Sequence, residues 1–233
     1  MKVLVVGATG GSGRAAVAEL ARRGHEVTAL SRHASALTGP GIAGVDGDAT
    51  EPGVVGPLVA GQDAVVVTLG ISENPVRVRL RGPAGTRADV RSRGTRVVVE
   101  AMRADGGRRL VVQTSYGVGP TRDRLPLVTR LVFAVLLKPQ IADTQRQHDV
   151  VATSGLDWVE VQPVNLRDDD EPLPAFVSPA GETRSMAVAR SQVGRVLADA
   201  VERDTFVGRT VAVSHDPAAR PAPAAARTRQ ASS

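Results

Sequence analysis

Short runs of apolar, mostly β-branched residues recur along the chain at residues 3–6, 27–30, 64–67, 110–112 and 158–161. Runs of this length are read as strands buried on both faces of a parallel sheet. Between them the period changes to that of a helix. Val17, Leu20 and Ala21 fall on one helical face, and Gly24 follows Arg22 and Arg23 as a stop. Residues 87–104 and 142–153 are read as further crossover helices. Near the end, Val193, Val196, Leu197, Ala200 and Val201 repeat at helical spacing behind Ser191, which is read as the N-cap. Strands alternating with helices in this way predict right-handed βαβ units and an α/β, doubly wound parallel sheet. Ligand sites in such sheets lie at the carboxyl ends of the strands.

Two regions break the pattern. Residues 71–85 hold Asn74-Pro75 and Gly82-Pro83 with no clear period, and are read as a loop over the edge of the sheet. From Asp216 onward Ala, Pro, Arg and Ser dominate, a composition that buries too little surface to order itself. The expected organisation is therefore one domain over residues 1–215 and a disordered tail over 216–233. The apolar segment 127–137, flanked by Pro126 and Lys138-Pro139, is read as a core helix, a roof over a substrate pocket or a subunit contact, leaving monomer and homodimer both open.

Composition removes several kinds of chemistry. The chain has no cysteine, so thiolate metal sites, disulfides and a cysteine nucleophile are excluded, and a reducing compartment is favoured. The net charge is +5, but the basic residues are scattered and only 2% of the chain is aromatic, so no nucleic-acid patch is expected. The N-terminus runs from Met1-Lys2 directly into the first strand without the pattern of a signal peptide, and residues 131–137 fall far short of the ~20 needed to cross a bilayer. A cytoplasmic protein with a small-molecule substrate and no membrane or nucleic-acid partner is expected.

The most specific motif follows the first strand: Gly7, Ala8, Thr9, Gly10, Gly11, Ser12 and Gly13, with a helix beginning there. Glycines let a pyrophosphate approach the backbone at a tight turn, and the helix N-terminus supplies N–H groups and a positive dipole end. A glycine triplet alone is weak evidence. Its place between a first strand and an amphipathic helix marks a dinucleotide-binding loop of Rossmann type. The end of the second strand should then carry an acid for the ribose of NAD or an arginine for the 2′-phosphate of NADP. Ser31, Arg32 and His33 stand there, so NADP is expected, with NAD less favoured. Arg14, just inside the helix, is either a second phosphate ligand or a solvated charge.

These residues, with Gly47-Asp48, Gly61-Gln62-Asp63-Ala64-Val65, Gly94-Thr95-Arg96, Ala101-Met102-Arg103, Thr114-Ser115 and Ser154-Gly155-Leu156-Asp157-Trp158, resemble the atypical short-chain dehydrogenases related to biliverdin reductase B, also called flavin reductase, and the NmrA-like proteins. The match runs from Lys2 to Ser214. The resemblance implies that Asp48 sits beside the adenine, that Leu69 and Gly70 line the cofactor, and that Pro163, Val164 and Asn165 approach the nicotinamide. It also implies that Ser115 stands beside the nicotinamide and hydrogen-bonds the hydride acceptor.

Better-known short-chain dehydrogenases pair a tyrosine with a lysine four residues on, because the ammonium lowers the phenol pKa. Here Tyr116 is followed at that spacing by Pro120, so Tyr116 is a weaker catalytic candidate than Ser115. The flavin reductase branch carries histidines where this chain has Thr144 and Asn165, while His148 lies one turn after Thr144. Three readings follow: an NADPH-dependent reductase of a planar or carbonyl acceptor, a non-catalytic NADP sensor of NmrA-like type, and a nucleotide-sugar epimerase or dehydratase. The last is disfavoured by the short segment after Asn165.

The cofactor expectation has a direct test. Arg32→Glu should abolish a preference for NADPH over NADH of about tenfold or more, the worth of a charge-assisted hydrogen bond, in a titration followed by nicotinamide fluorescence. An unchanged preference would remove Arg32 from the site.

Overall fold

A computed structural model describes residues 1–70, 87–124 and 138–220, with only the backbone of Lys138 and Pro139. The loop expected at 71–85, the apolar segment 127–137 and residues 221–233 of the expected tail lie outside the described residues.

The chain begins β1 (Lys2–Val6), α1 (Gly11–Arg22), β2 (Glu26–Ser31), β3 (Ile42–Asp46), α2 (Pro52–Val59) and β4 (Ala64–Val67). It continues with α3 (Val90–Asp105), β5 (Arg109–Gln113), a 3-10 turn (Gly119–Arg124), α4 (Lys138–Ala152) and β6 (Asp157–Pro163). Then come β7 (Asn165–Arg167), β8 (Phe176–Ser178), β9 (Ala187–Ala189), α5 (Arg190–Glu202) and β10 (Arg209–Ser214). The main sheet has the order β3-β2-β1-β4-β5-β6-β10-β8, parallel throughout except for β8, which runs antiparallel to β10; β7 and β9 form a separate parallel pair. The expected doubly wound α/β sheet is the observed one.

Strand alternation sorts the apolar side chains into two layers. Val3, Val5, Ala64, Val66 and Val111 face a core closed by α1 and α5. Leu4, Val6, Val65, Val67, Leu110 and Val112 face a second core closed by α2, α3 and α4. The alternation changes character at β6. Its Val159 and Val161 enter the first core, but the residues between and after them, Glu160 and Gln162, are polar and fully buried.

Several features differ from the sequence reading. The helix α2 and the strand β10 were not expected: α2 is short, contains Pro57, and buries only Val55 and Val59, while β10 alternates too briefly to stand out beside a low-complexity segment. Ser191 does not cap α5. The N-cap is Ala189, whose N–H donates to Gln192 Oε1 at 3.2 Å, and the Ser191 hydroxyl instead accepts from the Glu171 N–H at 3.1 Å. The longer Gln192 side chain reaches back over the first turn, so a short capping side chain is not needed there. The segment expected to be a tail begins with Asp216 ion-paired to Arg184 and accepting the Ala218 N–H at 3.0 Å.

Helices α1 and α5 lie against each other on one face. A Cβ on Gly194 would stand 2.7 Å from the backbone carbonyl of Ala15, so the contact is made backbone to backbone. Charges fasten the far end: Arg23 bonds Glu19, Asp199 and Glu202 at 2.7–2.8 Å, and His25 meets Glu202 at 2.8 Å. Hydrogen bonds from Arg22 hold the Glu19 carboxyl down to about 2, with burial opposing.

Gly194→Ala should therefore destabilise the protein despite a helix-propensity gain of at most about 1 kcal/mol. A backbone carbonyl has no rotamer with which to yield, which places the overpacking cost toward the upper end of about 1–3 kcal/mol. A thermal melt should show a midpoint lower by a few degrees, at about 2–4 °C per kcal/mol for a chain of this size. An unchanged or raised midpoint would show that α5 can withdraw from α1 at no cost.

Candidate functional site: an arginine-lined cleft at the strand ends

β1 delivers the chain into a turn that excludes side chains. Gly7 has φ +87°, and a Cβ there would meet the Thr68 carbonyl oxygen at 2.9 Å; a Cβ on Gly13 would collide with the Gly7 carbonyl oxygen. The Gly7 and Ala8 N–H groups donate to Leu30 O at 2.9 and 3.1 Å, which ties the turn to β2. Helix α1 opens at N-cap Gly10, which brings no capping side chain, and no acid stands in the first turn. The first-turn N–H groups thus face outward from a positive dipole end.

A cleft of about 510 Å³ opens over this turn, across the carboxyl ends of β1 to β5. Of the residues expected at the cofactor, Gly7, Thr9, Gly10, Gly11, Ser12, Arg32, Asp48, Leu69 and Gly70 line it together. Gly13 packs beneath the turn. Pro163, Val164 and Asn165 are not among the lining residues; the wall on that side is formed slightly further on, by Leu166 and Asp168. Asp48 Oδ1 accepts from the Thr50 N–H and hydroxyl, both at 2.8 Å, fixing the turn that leads into α2. Arg14 bends back, its Nε donating to Thr9 O at 2.9 Å, so it braces the loop.

Sequence reading missed three cationic members. Arg87, Arg91 and Arg190 join Arg32 in lining the cleft. Arg91 lies against Gly70, and burial pushes its guanidinium below its ordinary range, with the Asp143 charge pulling back. Arg190 lies over Gly11 and is ion-paired to Asp168. Arg87 lies just ahead of α3 and Arg91 in its first turn, and Arg190 reaches the loop only because α5 packs on α1. No local pattern announces that proximity. Side-chain-free turn, outward N–H groups and four arginines together fit an anionic dinucleotide.

Ser115 and Tyr116 follow β5 but do not line the cleft among the described residues. The Tyr116 hydroxyl donates to Gly181 O at 3.0 Å, its ring lies in the first core, and burial pushes its pKa up. Thr144 donates to Gln140 O within its own helix at 2.8 Å. His148 meets Glu160, Nδ1 to Oε2 2.7 Å, at the centre of a buried polar network. Thr114 and Thr210 each donate to Glu160 at 2.7 Å, and Gln162 Nε2 donates to Glu160 at 3.2 Å while its Oε1 accepts from Thr121.

A parallel sheet whose first strand turns through a glycine loop into an uncapped helix, under a cationic cleft at the strand ends, defines a nucleotide-binding protein of Rossmann fold. The chain belongs to the NAD(P)H-binding family, whose model matches residues 7–204. A 3-diazoavenalumate denitrifying reductase of a Streptomyces species is 37% identical over 114 residues, which cover 49% of this chain and 38% of that protein; the matched part thus spans well under half of that relative's length. Among solved structures, a short-chain dehydrogenase/reductase from Veillonella parvula in complex with NADP superposes with TM-score 0.75 at 16% identity, covering 93% of this chain and 95% of that one. A candidate NADH-flavin reductase from Streptococcus pneumoniae superposes at 0.71 and 19% identity, covering 93% and 100%. No helix among the described residues is long and apolar enough to cross a membrane.

The network predicts a pH dependence. Burial would push the Glu160 carboxyl up, but hydrogen bonds from His148, Thr114 and Thr210 outweigh it and hold the group below its ordinary 4.5. The bond to Glu160 raises His148 above its ordinary 6.5, with burial opposing. Stability from the depressed Glu160 is present above 4.5 and lost as pH falls through its lowered folded value. That from His148 is full below 6.5 and lost as pH rises through its raised folded value. The melting-temperature advantage of wild type over Glu160→Gln should therefore peak between pH 4.5 and 6.5 and shrink above that window. A difference independent of pH would show that the pair carries no charge.

Proposed function

We propose that the protein is an NADPH-dependent oxidoreductase that transfers hydride to a small planar or carbonyl acceptor of flavin or quinone type. The observation that carries this is the convergence of the glycine turn and Arg32 in one cleft, with no acid among Ser31, Arg32 and His33 where NAD recognition would want one. Family membership, the reductase named among the relatives and the NADP complex of a neighbour support it.

On this reading the first-turn N–H groups of α1 hold the pyrophosphate and Arg32 holds the 2′-phosphate. Asp48, Leu69 and Gly70 border the adenosine half, and Pro163, Val164 and Asn165 stand toward the nicotinamide. The bound cofactor supplies a hydride, two electrons with one proton's mass, to the acceptor. Ser115 hydrogen-bonds the acceptor and orients it. A second proton comes from water, since a serine hydroxyl is a weak acid and the Tyr116 phenol is engaged by Gly181.

The test is NADPH oxidation by purified protein across flavins, quinones and simple carbonyls, with Ser115→Ala beside it. Turnover should be well above background in the wild type and fall by about tenfold or more in the variant, while the Kd for NADPH stays the same. Tight NADPH binding with no turnover on any acceptor would favour the second reading, an NADP-binding sensor. The structural observation on that side is the Tyr116 hydroxyl directed away from the cleft into the Gly181 loop.

A further inference from the structure

The dinucleotide reading of the cleft gives Arg32 a task and leaves Arg190, with Arg87 and Arg91, without one. Arg190 is the first residue of α5, on the opposite end of the chain from the glycine loop, yet its guanidinium stem lies directly over Gly11, where a Cβ would run into its Nε and Cδ. Its position is set by backbone. Gly194, one helical turn on, seats α5 against Ala15 of α1, and the Arg23 cluster pins the other end of the same helix pair. Arg190 is therefore held at the mouth of the outward-facing N–H groups of α1, the place where a pyrophosphate is bound in this kind of loop.

The partner that Arg190 holds is poorly matched to it. The Arg190 side chain is 27% exposed, whereas that of Asp168, on the segment after β7, is 88% exposed. An ion pair with one member so fully hydrated contributes little, because water competes for the carboxylate. A phosphate oxygen presented to a half-buried guanidinium forms a shorter and stronger bond and shares the site with the helix dipole.

We propose that Arg190 is a clamp on the cofactor's pyrophosphate, supplied by the C-terminal half of the fold, and that Asp168 is the anion it exchanges for that pyrophosphate. This inference rests on the dinucleotide reading of the cleft and extends it. Arg32, exposed at the end of β2, reads the 2′-phosphate that distinguishes NADP from NAD; Arg190, over Gly11, reads the group the two cofactors share. Asp168 sets the affinity by competition. A purely architectural pair, stapling the segment after β7 to α5, would behave otherwise.

The experiment is a fluorescence titration of wild type, Arg190→Gln and Asp168→Asn with NADPH and with NADH, and a thermal melt of each protein without nucleotide. Arg190→Gln should raise both Kd values by the same factor, about tenfold, the equivalent of one charge-assisted hydrogen bond. Asp168→Asn should lower both, about two- to fivefold, the range of an exposed ion pair. The clamp is overturned if Arg190→Gln leaves both constants unchanged or weakens NADPH alone, or if Asp168→Asn binds no tighter than wild type while melting lower. Should Arg190→Gln fail to fold, Asp168→Asn decides by itself. Wild type that binds neither nucleotide removes the dinucleotide reading, whereas intact wild-type binding with unaltered variants removes only the clamp.

Discussion

The N–H groups in the first turn of α1 have no carbonyl to receive them, and they sit at the floor of the cleft. Nearly every other feature of the site answers to that condition. Any side chain at Gly7 or Gly13 would push the turn away from Thr68 or from its own carbonyl and break the alignment of the groups. Thr9, Ser31 and Arg14 brace the loop from above, with Thr9 donating to Ser31 at 2.9 Å and Arg14 to Thr9 O. Arginines from the end of β2, the approach to and first turn of α3, and the start of α5 gather around it. A preformed array of donors binds an anion without first spending free energy on rearrangement, which is the advantage of building the site from backbone.

The other demanding part of the molecule is the buried charge on β6. Glu160 is fully buried, and its four partners come from α4, the residue just after β5, β6 and β10. Such a group is tolerated only when each lone pair is met, so the network fixes the register of three strands and the rotation of α4 at once. Thr114, one of the donors, immediately precedes Ser115. The geometry of the proposed acceptor side thus depends on a carboxylate that lies outside the cleft.

Much of this was legible in the sequence, and what was not has a common physical cause. The strands at residues 3–6, 64–67 and 110–112 are uninterrupted apolar runs, and burial on both faces leaves no other use for them. Gly7, Gly10 and Gly13 are local to one turn, so their spacing carried the site directly. Arg87, Arg91 and Arg190 acquire meaning only from packing across the fold, and in a chain this rich in arginine nothing distinguishes them beforehand. Glu160 was hidden for a different reason: a charged residue inside a strand reads as solvent-facing unless its partners, 12 to 50 residues away, are known. Ser191 has the short hydroxyl side chain that suits a cap, yet Gln192 performs the task from the third position.

The placement of β10 bears on how the chain comes together in time. Residues 209–214 do not close the sheet at its border; they slot between β6 and β8. A ribosome delivers β6 and β8 well before this strand exists, and among the described residues β8 pairs with β10 alone. Until β10 emerges, β6 presents an open flank of hydrogen-bonding groups and β8 has no ladder among the described strands to join. The nascent chain must therefore fill this interior place after both its neighbours have been made, and truncation ahead of residue 209 would leave a sticky edge where the folded protein has a seam.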